Sequence, residues 1–201
     1  MAIIMIIIAA GDIDKYFLKK YVKDQTIICA DSGYDTAIAA GLQPNIVIGD
    51  MDSVQNQIQT QTLKFPTDKD KTDLHIAIDY ALEQGAKEIT MLGALGGEIG
   101  HTLANVLLLK YIADYNAKGT IVNENSELHL IKNYIEFYDY QSKKLSLIPL
   151  TPTACVSIEG VKFPLTNATI NIADTFSVSN IINHDHAKVT VHDGEVFVAI
   201  D

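Results

Sequence analysis

Four segments of the chain place acidic, basic and glycine residues at spacings suited to metal and phosphate chemistry. They are Asp31-Ser32-Gly33, Gly49-Asp50-Met51-Asp52-Ser53, Asp68-Lys69-Asp70-Lys71-Thr72-Asp73 and Gly93-Ala94-Leu95-Gly96-Gly97. Asp50 and Asp52 are two residues apart, so on an extended segment both carboxylates project to one side and can share a hard cation. Mg2+ is the natural candidate, because it takes oxygen ligands, keeps several waters and joins one or two carboxylates to substrate phosphates. A DxD pair is also a common solvated turn or cap, but here it follows an apolar run, with Asp31 and Asp73 in matching places. In the 68–73 segment a carboxylate at a helix start accounts for one aspartate. Three acids interleaved with Lys69 and Lys71 suit the holding of both a metal and phosphate oxygens. The Gly93–Gly97 loop opens a helical stretch whose first N–H groups can take an anion without a cationic side chain, although a Gly-Gly pair also serves as a plain turn. The sequence contains no GxxxxGK[ST] loop, no GxSxG elbow and no HExxH helix, so the commonest NTPase, hydrolase and zinc-protease signatures are missing.

Positioning these segments requires strands that end where each begins. Short β-branched runs alternate with helical patterns from the start to about Asn123, which predicts an open, mostly parallel α/β sheet with flanking helices. The expected strands are Ile3–Ala9, Thr26–Ala30, Ile46–Ile48, Glu88–Leu92 and Thr120–Val122. In such sheets ligands gather beyond the carboxyl ends of the strands, and each acidic or glycine segment follows a predicted strand or apolar residue there. Leu74, Ala77, Ile78, Ala81 and Leu82 repeat at helical spacing, with Gly85 placed to end the helix. A second helix over His101–Asp114 is apolar on most faces and is expected to be well buried.

After Asn123 helical periodicity gives way to short alternating runs at Lys144–Leu150, Ala154–Ile158, Ala168–Ile172 and Lys188–Ile200, which read as antiparallel β. Val189 and Val191, then Val196 and Val198, flank Asp193-Gly194 and predict a tight hairpin. The expected division is therefore 1–122 and 123–201.

Composition narrows the function classes. The 201 residues carry a formal net charge of -10, which argues against a nucleic-acid partner, since phosphate backbones are bound by clustered Lys and Arg. Cys29 and Cys155 lie far apart in apolar runs, as expected of a reduced, cytoplasmic chain. The apolar start, Met1 to Ala10, lacks a basic flank and is about half the roughly 20 residues of a membrane helix, so it reads as a buried strand and no membrane association is expected.

In this order, the segments resemble the thiamine pyrophosphokinase family over nearly the whole chain. Ala30-Asp31-Ser32-Gly33 is similar to the family's ADGG turn, Pro44 to Ser53 (PNIVIGDMDS) to its PDxxxGDFDS, and Lys69 to Asp73 (KDKTD) to its KDxTD. Gly96-Gly97 followed by His101 and Asn105 resembles GGRxDHxLxN, and Ser179-Asn180 resembles a late SN pair. The resemblance implies an α/β catalytic domain, a C-terminal β-sandwich that binds thiamine and forms the dimer, and active sites shared between two subunits of a homodimer. It implies Mg2+ held by Asp50, Asp52 and Asp73, with Asp31, Lys69 and Asp70 helping to hold metal, water or the phosphates of the co-substrate ATP. Gly96, Gly97, His101 and Asn105 would belong to the nucleotide loop, and Ser179 and Asn180 would reach the organic substrate. The implied reaction transfers diphosphate from ATP to the hydroxyl of thiamine with release of AMP, Asp73 or Asp70 acting as general base.

One segment departs from the family pattern: Glu98 and Gly100 stand where it carries Arg and Asp. The departure allows two other readings, a pyrophosphokinase for another heterocyclic alcohol such as a hydroxymethylpterin, or a catalytically impaired thiamine- or nucleotide-binding protein. Ser32, Asn45 and Met51 are smaller changes. The remaining histidines, His75, His129, His184, His186 and His192, read as surface or structural.

Overall fold

Apolar strands buried on both faces need helices on either side, and the first part of the chain supplies them in alternation. A computed structural model describes residues 2–201 and divides them into two units, one ending at Asn125 and the other beginning at Ser126. Met1, part of the predicted first strand's apolar run, lies outside the described residues. The elements of the first unit are β1 (Ile3–Ile8), α1 (Lys15–Tyr21), β2 (Thr26–Ala30), α2 (Gly33–Ala39), β3 (Ile46–Gly49), β4 (Gln61–Lys64), α3 (Asp73–Glu83), β5 (Ala86–Leu92), α4 (Ile99–Asp114) and β6 (Lys118–Val122).

These strands lie in the order β6-β5-β1-β2-β3-β4, and every neighbouring pair among them is parallel. β1 is central, with Ile6, Ile7 and Ile8 almost wholly buried. From β1 the chain builds outward through β2, β3 and β4, then returns to place β5 on the other side of β1. This reversal opens a crevice at the carboxyl ends of β1 and β5. There Ala9 N donates to Leu92 O and Gly11 N to Gly93 O, both at 2.8 Å, prolonging the pairing into the loops.

Local chemistry starts the helices. Asp14 caps α1 by accepting from the Tyr16 and Phe17 N–H groups, and Thr72 caps α3 by accepting from His75 N. The helix-starting role expected of an aspartate thus falls to Thr72, with Asp73 in the first turn, where a carboxylate suits the helix dipole. β4 carried no sequence signal: all four of its residues are exposed, so its edge position left no alternation to read.

α4 corrects one expectation. Leu108, Leu109 and Ile112 are buried, whereas Ile99, Leu103 and Leu107 are 78%, 60% and 52% exposed. An all-round apolar composition implied burial on all sides, but only one face of the helix packs on this chain's own core. The other face is left as a stripe at i, i+4 and i+8.

The second unit comprises β7 (Glu127–Ile131), β8 (Tyr134–Tyr138), β9 (Lys144–Pro149), β10 (Thr153–Glu159), β11 (Leu165–Asn171), β12 (Asn180–Ile181), β13 (His186–Asp193) and β14 (Val196–Ile200). β12, β9, β14 and β7 are neighbours in one sheet, and β11, β10, β13 and β8 form the other. All these pairings within the unit are antiparallel. Inward residues of both sheets, among them Leu145, Leu147 and Val198 against Val156, Ile158 and Val189, share one core. This is a β-sandwich.

The predicted hairpin over Lys188–Ile200 is not one. β13 pairs with β10 and β8, and β14 with β7 and β9, so Asp193-Gly194 carries the chain from one sheet to the other. Both strands bury alternate valines against the same core, which gives the sequence the alternation of a hairpin without the pairing. Gly194 has φ 85°, and a Cβ there would lie 2.6 Å from Thr151 Oγ1 and 2.7 Å from Thr153 O, so the crossing is tight.

Gly33 tests how closely α2 must approach β1. A Cβ at this position would stand 2.2 Å from the Ile8 carbonyl oxygen and 2.8 Å from its carbon, and backbone cannot move aside as a side chain can. Gly33→Ala is expected to cost at least about 2 kcal/mol in urea or thermal denaturation. A change within about 0.5 kcal/mol would show that α2 is free to slide.

Candidate active site

Two strand ends and one helix start bring the acidic residues together. Asp31 follows β2 with φ 48°, and Asp50 follows β3. Asp73 opens α3. One carboxylate oxygen from each of Asp31, Asp50 and Asp73 lies within 4.8 Å of the others. Gly49 permits the approach: a Cβ there would lie 3.0 Å from Asp73 Oδ1 and 3.1 Å from Asp31 Cβ.

Lys69 is the cation among them, with Nζ 3.2 Å from Asp50 Oδ2 and 3.1 Å from Asp73 Oδ1. Burial opposes its charge, but the hydrogen bonds and charges of Asp73 and Asp50 outweigh that and push the ammonium pKa up. The hydrogen bond from Asp52 N, 3.1 Å from Asp50 Oδ1, together with Lys69, holds the Asp50 carboxyl below the ordinary carboxylate value. Burial pushes Asp73 up against the pull of Lys69, with Asp31 and Asp50 adding to the rise. Asp31 Oδ1 is buried without a hydrogen-bond partner, and Asp73 Oδ1 is buried with only the Lys69 ammonium, 3.1 Å away, to answer it. Buried acceptors of this kind demand compensation. The unpartnered Asp31 oxygen, with carboxylate oxygens of Asp50 and Asp73 converging on it, offers the kind of hard-oxygen donor set that Mg2+ takes.

Asp52 stands outside this triad of converging oxygens. β3 ends at Gly49 and Met51 adopts φ 66°, so the period-two rule that would align Asp50 with Asp52 no longer applies. Asp52 is exposed, and the hydrogen bond and charge of Asp50 push its carboxyl up. Asp70 is also exposed and lines a neighbouring hollow with Phe65, Lys71 and Tyr80.

Beside the triad lies a cavity of about 280 Å3. Its floor is made of small residues from three strand ends, including Gly11, Ala30 and Gly93, and its rim carries Asp31, Ser53 and Asp73. Gly96, Gly97, Glu98, His101 and Asn105 close the side nearest α4. Asn105 Nδ2 donates to Ala94 O at 2.8 Å and Thr102 Oγ1 to Gly96 O at 2.9 Å, tying the glycine loop to the helix it precedes.

Ser179 and Asn180 belong to the second unit. Ser179 is exposed, has φ 59°, and its N–H donates to Ser146 Oγ at 3.0 Å. Asn180 is buried, donating to Phe163 O and accepting from Phe163 N and Ile181 N, so its amide clamps the loop at Phe163.

Asp35 was missed by sequence reasoning. Its oxygens accept from Gln55 N at 2.8 Å, Asn56 N at 2.9 Å and Asn56 Nδ2 at 2.7 Å, latching the loop that carries Asp50 to Ser53. Ser53 Oγ in turn donates to Asp31 Oδ2. An aspartate one turn into a helix looks like an ordinary helix-start carboxylate, so no local signal marked it.

An open parallel sheet with clustered carboxylates, a lysine between them and a glycine loop at its switch point fits the class of α/β domains that handle phosphorylated ligands through a divalent cation. The chain belongs to the thiamin pyrophosphokinase family: the model of the family's catalytic domain matches residues 17–121 and that of its vitamin B1 binding domain residues 132–196. Thiamine pyrophosphokinase of Bacillus subtilis (strain 168) is 28% identical over 188 residues, which span 88% of each chain. The crystal structure of thiamine pyrophosphokinase from Bacillus subtilis superposes with a TM-score of 0.89 at 25% identity, covering 98% of both chains. That of the thiamin pyrophosphokinase from Geobacillus thermodenitrificans gives 0.86 at 28%, covering 98% of this chain and 97% of the other.

Two outcomes follow. Burial tends to raise the Asp35 pKa, but its three hydrogen bonds outweigh that and lower it from 3.8, so its stabilisation is present above that value and is lost as pH falls through the lower folded value. Asp35→Asn should cost about 1–2 kcal/mol at pH 7, and the gap from the parent chain should stay constant down to about pH 5 and close below pH 3.8. Denaturation measured across that range checks both size and sign. Millimolar Mg2+ should raise the melting temperature by about 2–5 °C, and Asp50→Ala should abolish the rise; a rise unchanged in the variant would place the cation elsewhere.

Proposed function

We propose that this chain is a thiamine pyrophosphokinase, transferring the β,γ-diphosphate of ATP to the hydroxyl of thiamine to give thiamine diphosphate and AMP. The observation that carries the reading is the convergence of Asp31, Asp50 and Asp73 around Lys69 beside the cavity, in a chain of this family. Asp31, Asp50 and Asp73 would hold Mg2+, with Asp52 at the edge of the group. Bound there, the cation supplies charge neutralisation for the polyphosphate and for the departing AMP.

The chain's own groups do the rest by positioning. Lys69, held from two sides, offers a fixed positive charge to the transferred group, and the N–H groups at the start of α4 offer partial charge to phosphate oxygens. The thiamine hydroxyl attacks the β-phosphorus in line, the bond from that phosphorus to the α,β-bridging oxygen breaks, and AMP leaves with the electron pair. Of the two candidate bases, Asp73 lines the cavity, whereas Asp70 lines the neighbouring hollow. Asp73 is therefore assigned to take the hydroxyl proton.

The second unit would bind thiamine, with Ser179 offering an exposed hydroxyl and Asn180 supporting the loop beside it. A homodimer is the assembly that gives the exposed stripe of Ile99, Leu103 and Leu107 a purpose, since apolar patches of this kind mark interaction sites. No described helix is long and apolar enough to cross a membrane, and we place the enzyme in the cytoplasm.

AMP formation from ATP and Mg2+ is the test. It should depend on thiamine and fall at least about 100-fold in Asp50→Ala. AMP that appears only with a different alcohol, such as a hydroxymethylpterin, would reassign the acceptor, and binding of thiamine without AMP would make the chain a binding protein.

A further inference from the structure

The acidic and basic side chains that line the cavity are of one sign. Its acidic lining residues are Asp31, Asp73 and Glu98, and among the described residues no lysine or arginine lines it. The lysines nearest in sequence to Asp73 are already ion-paired: Lys69 is held between Asp50 and Asp73, and Lys71 Nζ lies 2.5 Å from Asp79. Asp12 adds a further carboxylate, placed so that its Oδ2 would lie 2.9 Å from a Cβ on Gly96. Against these stand Lys69, shared between Asp50 and Asp73, and the partial charges at the start of α4, equivalent to about half a unit charge.

Glu98 differs from the other two lining acids. Asp31 and Asp73 belong to the converging triad, so a bound cation answers their charge. Glu98 lies outside it. It occupies the N-cap position of α4 without a side-chain capping bond, and its side chain is exposed. On the helix, Glu98, His101 and Asn105 share the side that lines the cavity, consistent with their spacing of three and four residues. Gly100 is turned about 100° from His101, at 3.6 residues per turn, and it does not line the cavity.

We propose that Glu98 is a specificity-determining residue that makes this site select the divalent-cation complex of ATP and reject the free nucleotide. The inference rests on the ATP-dependent reading above and extends it to the form of the co-substrate. A free triphosphate entering the cavity meets three lining carboxylates, of which only Asp73 is ion-paired, through Lys69. The metal complex brings charge that satisfies Asp31 and Asp73 and reduces its own repulsion from Glu98. Across a cavity of this size, roughly 8 Å wide, one unit charge changes an anion's affinity by about tenfold at an effective dielectric of 20–40. A purely structural Glu98, serving the dipole of α4, would affect both forms of ATP alike.

Equilibrium binding of ATP to the full chain, without acceptor and at fixed ionic strength, separates these possibilities. Binding is measured once with excess Mg2+ and once with a chelator and no divalent ion. The parent chain should bind free ATP at least about 100-fold more weakly than the Mg2+ complex. Glu98→Gln should tighten free ATP about tenfold and Glu98→Arg more, with the Mg2+ complex changing less than about threefold. Glu98→Asp, which keeps the charge, should keep the discrimination. Equal shifts for both forms, or no shift for free ATP in a chain that binds the Mg2+ complex, overturn the inference while leaving the proposed function standing. A parent chain that binds ATP in neither condition overturns both.

Discussion

The mutual repulsion of Asp31, Asp50 and Asp73 is the constraint around which the first unit is organised. Three carboxylate oxygens within 4.8 Å of one another are unfavourable unless cations answer them. Lys69 answers Asp50 and Asp73, and the buried, unpartnered Oδ1 of Asp31 is left without a countercharge. A site left short of positive charge is ready to take a cation, so the cost of assembling it in the folded chain becomes affinity for the ligand.

Holding such a site together falls to uncharged structure. The central position of β1 and the reversal to β5 create the crevice, and Gly49 lets Asp31 and Asp73 close on each other. The Asp35 latch and the hydrogen bond from Ser53 keep the loop after β3 from relaxing away. Asn105 and Thr102 fix the glycine loop on the opposite side. Most of these contacts are hydrogen bonds to backbone, each modest in net energy, but together they remove the freedom that would let the acids separate.

The second unit solves a different problem. Its two sheets bury alternate residues of β9, β14, β10 and β13 in one core, leaving loops and outward faces available for recognition. The crossing at Asp193-Gly194 and the clamp of Asn180 on Phe163 show turns and side-chain amides setting loop shape. The exposed stripe on α4 in the first unit shows a surface built with more apolar area than its own chain covers.

Much of this was legible in order along the chain. Periodicity and β-branched runs marked β1, β2, β3, β5, β6 and both long helices, because burial on two faces or on one stripe leaves a strong local pattern. The acidic segments and the glycine loop could be read as metal and phosphate chemistry because residue type and strand-end position are both sequence properties. What the tertiary structure decided was which groups meet. The loop that follows β3, with Met51 at positive φ, leaves Asp52 outside the triad although it still touches Asp50, and the strand order brings Asp31 to Asp73. The sheet change at Gly194 denies β13 and β14 the pairing that their alternation suggested. The latch of Asp35 and the exposed face of α4 were also settled only by folding. Local sequence determines which residues are apolar and which can carry charge, but the distance between residues far apart in sequence depends on strand order and backbone turns, and site chemistry acts over those distances.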